Sequence, residues 1–492
     1  MHYSADEIEN ILYHLNYRWR LQALAVWSGR KDPFGNGGLY AGLDHFLRPE
    51  TLEDIEKIPP DNDRRDKLRY TFMDHFLRRE LQPYDAEMKT WMKGAAAHVD
   101  GRKIYWGDII AFCQKESTRQ QRRVVQKETR PLCKFLKPFA LNYWEALLDT
   151  LKASLGFRSY REYCTQKKQI DYSAHYGLVK KILSATSDLY SSSMEQWVSR
   201  RYHDTLRSLT RFDAINLLSL TEFDSLMPRK GIERFVAFFR HWGMDLEYDR
   251  NIHIDLDQNP EKTSEAICFV LQVPEEVYVL MKPQGMWLDL ESLGHELGHA
   301  LFTANISGEL PFVVKEISRS GGLSEAFAFL LQNVTMSVPF MTRELGIDEE
   351  TASMLHYHKV LKDMSVFRRY AARFLSEYEM FEREDLENGE GYAETMAEHT
   401  GFYYQPEAAL FDLAAEFYSL DYVLAWMAEA MMEHHFQSLH GAGWMFFEDT
   451  ASTLRSWWRE GHRDDVFGFL NRVGLGDLSP DSLISRWERV LQ

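Results

Sequence analysis

Prolines and glycines are too sparse in this chain to punctuate a β-rich fold. Fifteen Pro and 28 Gly are spread over 492 residues. Between them apolar side chains recur at i, i+3, i+4 and i+7, as at Ile8, Ile11, Leu12 and Leu15. That period gathers the apolar atoms on one face of an α-helix, so a mainly α architecture is expected. Turn-forming residues cluster at 31–38, 59–63 and 227–231, which are the expected breaks. No internal repeat or low-complexity linker interrupts the pattern.

Only one stretch leaves the helical period. Residues 265–273 and 276–281 are short runs rich in Val, Ile, Phe and Tyr on either side of Pro274-Glu275. They read as two strands joined by a tight turn. Pro283-Gln284-Gly285 ends the second, and a helical period resumes near Leu288. A small sheet therefore leads straight into a helix.

Charge and cysteine content narrow the function classes. Asp and Glu number 74 against 57 Lys and Arg, a formal charge of -17, and that field repels phosphate backbones and anionic lipid surfaces. Neither nucleic acid nor a membrane is an expected partner. The basic run Arg119, Arg122, Arg123, Lys127, Arg130 has helical spacing and is expected to be a solvated helix face. The four cysteines, Cys113, Cys133, Cys164 and Cys268, lie singly, as reduced thiols do in a cytosolic protein. The N-terminal residues turn acidic at once, with no basic segment followed by an apolar one, and no apolar run is long enough to span a bilayer. A soluble, cytoplasmic protein is expected.

The resumed helix contains His295-Glu296-Leu297-Gly298-His299. Spacing of i, i+4 puts both imidazoles on one side, where a single Zn²⁺ can bridge them, and leaves Glu296 able to reach a water held there as general base. Leu290, Leu293, Leu297, Ala300 and Leu301 form an apolar stripe, so the motif sits on an amphipathic or buried helix. Gly294 and Gly298 each precede a histidine, and two glycines in a helix imply another backbone passing close by. A catalytic zinc commonly takes a third protein ligand and keeps one position open. Glu309, Glu316 and Glu325 are candidates. The first two lie in a polar connection where a carboxylate would be solvated. Glu325 opens the apolar run Ala326-Phe327-Ala328-Phe329-Leu330-Leu331, where a buried carboxylate needs a cation. His434, His435 and His440 lack a partner pattern and are expected to be surface or groove histidines.

These residues resemble the thimet oligopeptidase and oligoendopeptidase F group of zinc metallopeptidases, whose pattern is H-E-x-G-H, a ligand Glu about 25 residues later and a C-terminal tyrosine-rich segment. Here the counterparts are His295 to His299, Ser324-Glu325-Ala326, and Phe417-Tyr418-Ser419-Leu420-Asp421-Tyr422. The similarity covers roughly residues 205–490. It implies a helical lobe at 1–204 and a catalytic lobe at 205–492, interleaved and enclosing a deep substrate cleft. It implies one Zn²⁺ per chain on His295, His299 and Glu325, with Tyr418, or else Tyr422, as phenol donor to the oxyanion. The chain departs from the pattern at Gln332, where a second Glu is frequent, and at Phe302, where many relatives carry His. The strand at 265–273 resembles the family's substrate-binding edge and would hold an extended peptide through Ala266, Cys268 and Val270. The implied substrates are short peptides cut at internal bonds. A zinc carboxypeptidase of the Taq type and a catalytically inert peptide-binding protein are the alternatives.

Overall fold

The structure is a computed structural model that describes residues 2–34, 38–60, 63–259, 261–263 and 265–492. Of the expected turns, Gly35-Asn36-Gly37 and Asp61-Asn62 lie outside the described residues. The third, at 227–231, is present: Lys230 adopts a left-handed conformation and caps the helix Gly231–Phe238. Helices dominate, the longest being Arg64–Gly94, Arg119–Ala153 and Glu349–Glu382.

The chain forms two compact units, each gathered from three segments. The first comprises residues 1–79, 224–356 and 424–483, the second 80–223, 357–423 and 484–492. The passages from one to the other fall at 79/80, 223/224, 356/357, 423/424 and 483/484, and none falls at 204/205. Four of them lie inside continuous α-helices: Arg64–Gly94, Glu349–Glu382, Tyr418–His440 and Asp481–Leu491.

Five strands occur among the described residues. In the second unit β1 (Ala96–Val99) and β2 (Arg102–Tyr105) make a hairpin. In the first, β3 (Ile252–Asp255), β4 (Ile267–Gln272) and β5 (Glu276–Leu280) form a sheet in the order β3-β5-β4. The expected strand pair is therefore present, antiparallel, with Ile267 opposite Leu280 and Cys268 opposite Val279. Two corrections apply. Strand β4 begins at Ile267, so Ala266 precedes it, and a third strand, β3, pairs parallel to β5. Alternation sets the faces of β4: Phe269 and Leu271 are buried in a cluster with Leu24 of the helix Ala5–Trp27, while Cys268, Val270 and Gln272 on the other face are half-buried.

The motif helix, Trp287–Ala304, starts where Asp289 accepts the backbone N–H groups of Gln284 (2.7 Å) and Met286 (2.9 Å). A carboxylate in the first turn satisfies otherwise orphaned donors and complements the helix dipole. The apolar stripe Leu290, Leu293, Leu297, Ala300, Leu301 is fully buried, as expected.

In the second unit the basic run departs from its expected solvation. Arg123, Lys127 and Arg130 are exposed, but Arg122 is only 2% exposed and pairs with Asp213 at 2.9 Å. It falls on the buried side of its helix with Val125 and Thr129, and a buried guanidinium must be paired. All four cysteines are free. No helix among the described residues is long and apolar enough to cross a membrane.

Candidate metal centre

Two helices of the first unit create the site by passing unusually close. A Cβ at Gly294 would meet the Thr335 methyl at 2.7 Å and Gln332 Cα at 3.2 Å. One at Gly298 would meet Phe327 O at 2.7 Å and Ala328 Cα closer still. Glycine at these two positions is what lets the helix Gly322–Thr335 lie against the motif helix. That contact carries Glu325, in the first turn of the second helix, to the histidine face of the first.

The side chains of His295, His299 and Glu325 converge, with one potential ligand atom from each lying within 4.8 Å of the others. Among the described residues this is the only such group, and His434, His435 and His440 form none. Glu325 Oε2 lies 3.2 Å from His295 Nε2 and 3.6 Å from His299 Nε2, and its side chain is 4% exposed. Both Nδ1 atoms are engaged elsewhere. That of His295 meets Gln332 Oε1 at 3.1 Å, and that of His299 meets Ser324 Oγ at 2.7 Å. An amide oxygen only accepts, so Nδ1 of His295 donates to it and its Nε2 lone pair faces the carboxylate.

Electron-rich atoms from three side chains thus crowd a buried spot that calls for positive charge. Burial pushes the Glu325 carboxyl up, but His299 and His295 outweigh that and hold it well below the ordinary carboxylate range. Burial likewise works against a charged His295, and Glu325 overcomes it, raising that imidazole above its usual value. Both shifts have one cause: the buried Glu325 carboxylate favours a positive charge beside it. Two imidazoles and a carboxylate are also the ligand chemistry of a divalent metal site with room for further ligands. The residues present fit such an ion.

Glu296 shares the motif helix with the two histidines, and Cys268 of β4 lies near it. Burial pushes the Cys268 thiol well up, and the neighbouring Glu296 charge adds to the rise. Sheet edge and motif helix are therefore neighbours within one unit, as the sequence implied. Glu309 is exposed, as expected, but Glu316 is not: it is buried and bonds Arg20 at 2.6 Å. The expectation of a solvated Glu316 fails because a partner distant in sequence neutralises it.

Tyr418 and Tyr422 belong to the second unit, where they open the helix Tyr418–His440. Their rings meet edge-to-face at 5.2 Å, both are half-buried, and Tyr422 packs on Tyr370 at 4.5 Å. Phe417 is fully buried. Sequence reasoning missed Ser324 as a partner of the site and treated Gln332 only as a departure from a pattern. Their positions carried the signal: Ser324 adjoins Glu325, and Gln332 follows it by seven residues, two helical turns along the same face.

No protein-family profile matches the chain, and no curated protein sequence does. Among solved structures, one described as PZ peptidase A with an inhibitor is similar over 98% of this chain and 85% of its own, with a TM-score of 0.59 and 13% sequence identity. A likeness at that identity establishes the fold. The chain shares that protein's fold, a large and mainly helical architecture.

Proposed function

We propose that this chain is a zinc-dependent peptidase that hydrolyses internal bonds of short, unstructured peptides. The observation that carries the reading is the convergence of His295, His299 and Glu325 on one point, with Glu296 next to His295 on the same helix. The likeness to a structure described as a peptidase supports it. His295, His299 and Glu325 would hold the ion, their orientation fixed by Gln332 and Ser324. When bound, zinc supplies Lewis acidity and brings the pKa of a water down toward 7 from 15.7 in bulk.

Glu296 is the general base. Its carboxylate takes a proton from the attacking water and returns it to the leaving nitrogen. Tyr418, with Tyr422 as the second choice, donates its phenol O–H to the developing oxyanion, a contribution of the order of 10² to 10³ in rate. Strand β4 ends the sheet order, and its outer edge would pair with an extended peptide backbone near Cys268 and Val270. Main-chain pairing of this kind tolerates varied sequences and demands an unfolded substrate.

A peptide blocked at both ends, acetylated and amidated, tests the reading when digestion is followed by mass spectrometry with and without chelator. Internal cleavage that is lost with chelator and restored by zinc is expected. Glu296→Gln should keep the metal and lose turnover by about 10² or more. Cleavage only of peptides with a free C-terminus would instead indicate a carboxypeptidase. Full cleavage by metal-free protein would contradict the mechanism, and peptide binding without any cleavage would indicate an inert binder.

A further inference from the structure

The turn that leads into Tyr418 has a strained backbone held from several sides. Glu416 and Phe417 both have positive φ, 54° and 52°, a left-handed conformation that residues with a Cβ adopt rarely and almost never in succession. Such residues persist only where their surroundings over-determine them, and they concentrate at functional sites. Here the short helix Tyr160–Lys168 of the same unit supplies the restraint. The Glu416 N–H donates to Tyr160 Oη (2.6 Å), its carbonyl accepts from Lys168 Nζ (2.7 Å), and its carboxylate accepts from Lys167 Nζ (2.7 Å) and Tyr163 Oη (3.2 Å).

Phe417 is fixed by packing. Its ring lies 4.6 Å from that of Tyr172, 5.6 Å from Phe381 and 5.8 Å from Tyr160. From another side Glu377 accepts from the Ala414 N–H (2.7 Å) and the Ser419 hydroxyl (3.1 Å). Lys168 does one thing more. Its ammonium donates to Asp421 Oδ2 at 2.7 Å, both side chains being nearly fully buried, and lies 5.6 Å from the Tyr418 ring centroid. One buried cation thus ties the carbonyl two residues before Tyr418 to the carboxylate three residues after it, and borders the ring between. A simple chain reversal would place glycine at 416 and bury no lysine. The half-exposed side chain whose direction these restraints fix is Tyr418.

We propose that Lys168 is a positioning residue for Tyr418, holding its ring and phenol in one orientation. This rests on the reading of Tyr418 as the phenol donor of the proposed reaction. Lys168 does not itself touch substrate. Its removal therefore lowers kcat with little change in KM, and only while the phenol is present.

A double-mutant cycle between Lys168 and Tyr418 tests this on the full chain. Lys168→Met is combined with Asp421→Leu so that no charge is left buried alone, a replacement that folds generally tolerate. Kinetics on the blocked peptide, metal content and thermal melting are measured in parallel. Misplacing a reacting group by about 1 Å can cost up to 10² in rate, so a loss in kcat of about tenfold or more is expected, with KM within about threefold and metal content unchanged. In the Tyr418→Phe background the same pair of changes should alter kcat less than about twofold. An equal loss in both backgrounds, or no loss in either, overturns the proposal.

If the Lys168 variant does not fold, Glu416→Gly serves instead. It removes the carboxylate anchor while easing the backbone, and it is expected to lower kcat without lowering the melting temperature. Unchanged kcat in that variant overturns the proposal equally. Full activity in Tyr418→Phe alone would remove the donor role on which the proposal stands, whereas retained turnover in Glu296→Gln would strike the peptidase reading itself.

Discussion

Gln332 meets the ring of His295 with an amide oxygen, 3.1 Å from Nδ1. A neutral acceptor there makes the imidazole a weaker base than a carboxylate would, and partners of this kind typically change metal affinity 10- to 100-fold. Gln332→Ala is expected to loosen zinc by about that factor, and Gln332→Glu to tighten it, measured by competition with a chromophoric chelator. Equal affinities in all three proteins would show that Gln332 does not tune the site. Much of the ligand group was legible in the sequence, because His295 and His299 fall at a spacing that a helix brings to one face, and Glu325 opens an apolar run. Gln332 and Glu316 were not. The role of each depends on a side chain 37 or 296 residues away, His295 and Arg20 respectively, and such separations leave no local mark.

The site exists because two helices pack through glycine. At Gly298 a methyl group would press on Phe327 O and Ala328 Cα, backbone atoms that cannot swing aside. Gly298→Ala is expected to push the helices apart, to destabilise the protein by about 1–3 kcal/mol and to weaken metal binding along with it. Gly294→Ala, whose nearest obstacle is the Thr335 methyl, should be milder. Thermal melting and metal titration of the two variants would show the order, and a Gly298→Ala protein with unchanged melting and affinity would contradict it. The glycine pair and the β4–β5 hairpin were both readable, the first as a helix penalty needing a reason and the second as a β-rich interruption. Strand β3 was not, since Ile252-His253-Ile254-Asp255 is four residues of mixed polarity and becomes a strand only by pairing with β5.

For the whole molecule, helical dominance followed from sparse breakers, but the division into units did not. Helices such as Arg64–Gly94 keep their period across a passage between units, so the sequence shows no seam there. Buried charge also sets how the molecule responds to pH. Burial pushes the Glu377 carboxyl up from 4.5 to about 7, against the pull of Arg373 and its bonds to Ala414 and Ser419. A folded-state value above the unfolded one means a contribution fully present below about pH 4.5 and lost as pH rises through about 7, roughly 3 kcal/mol across that window. Melting temperature should therefore fall between pH 5 and 7.5, and Glu377→Gln, which keeps an acceptor oxygen, should flatten that fall. Parallel slopes in the two proteins would contradict the assignment.

Whether His295, His299 and Glu325 together hold one divalent ion is decided by crystal diffraction from the purified protein on both sides of the zinc absorption edge. The expected result is one anomalous peak about 2.0–2.2 Å from Nε2 of each histidine and from a Glu325 oxygen. A map with no peak between them, or with Glu325 turned away from a zinc bound elsewhere, would contradict the account.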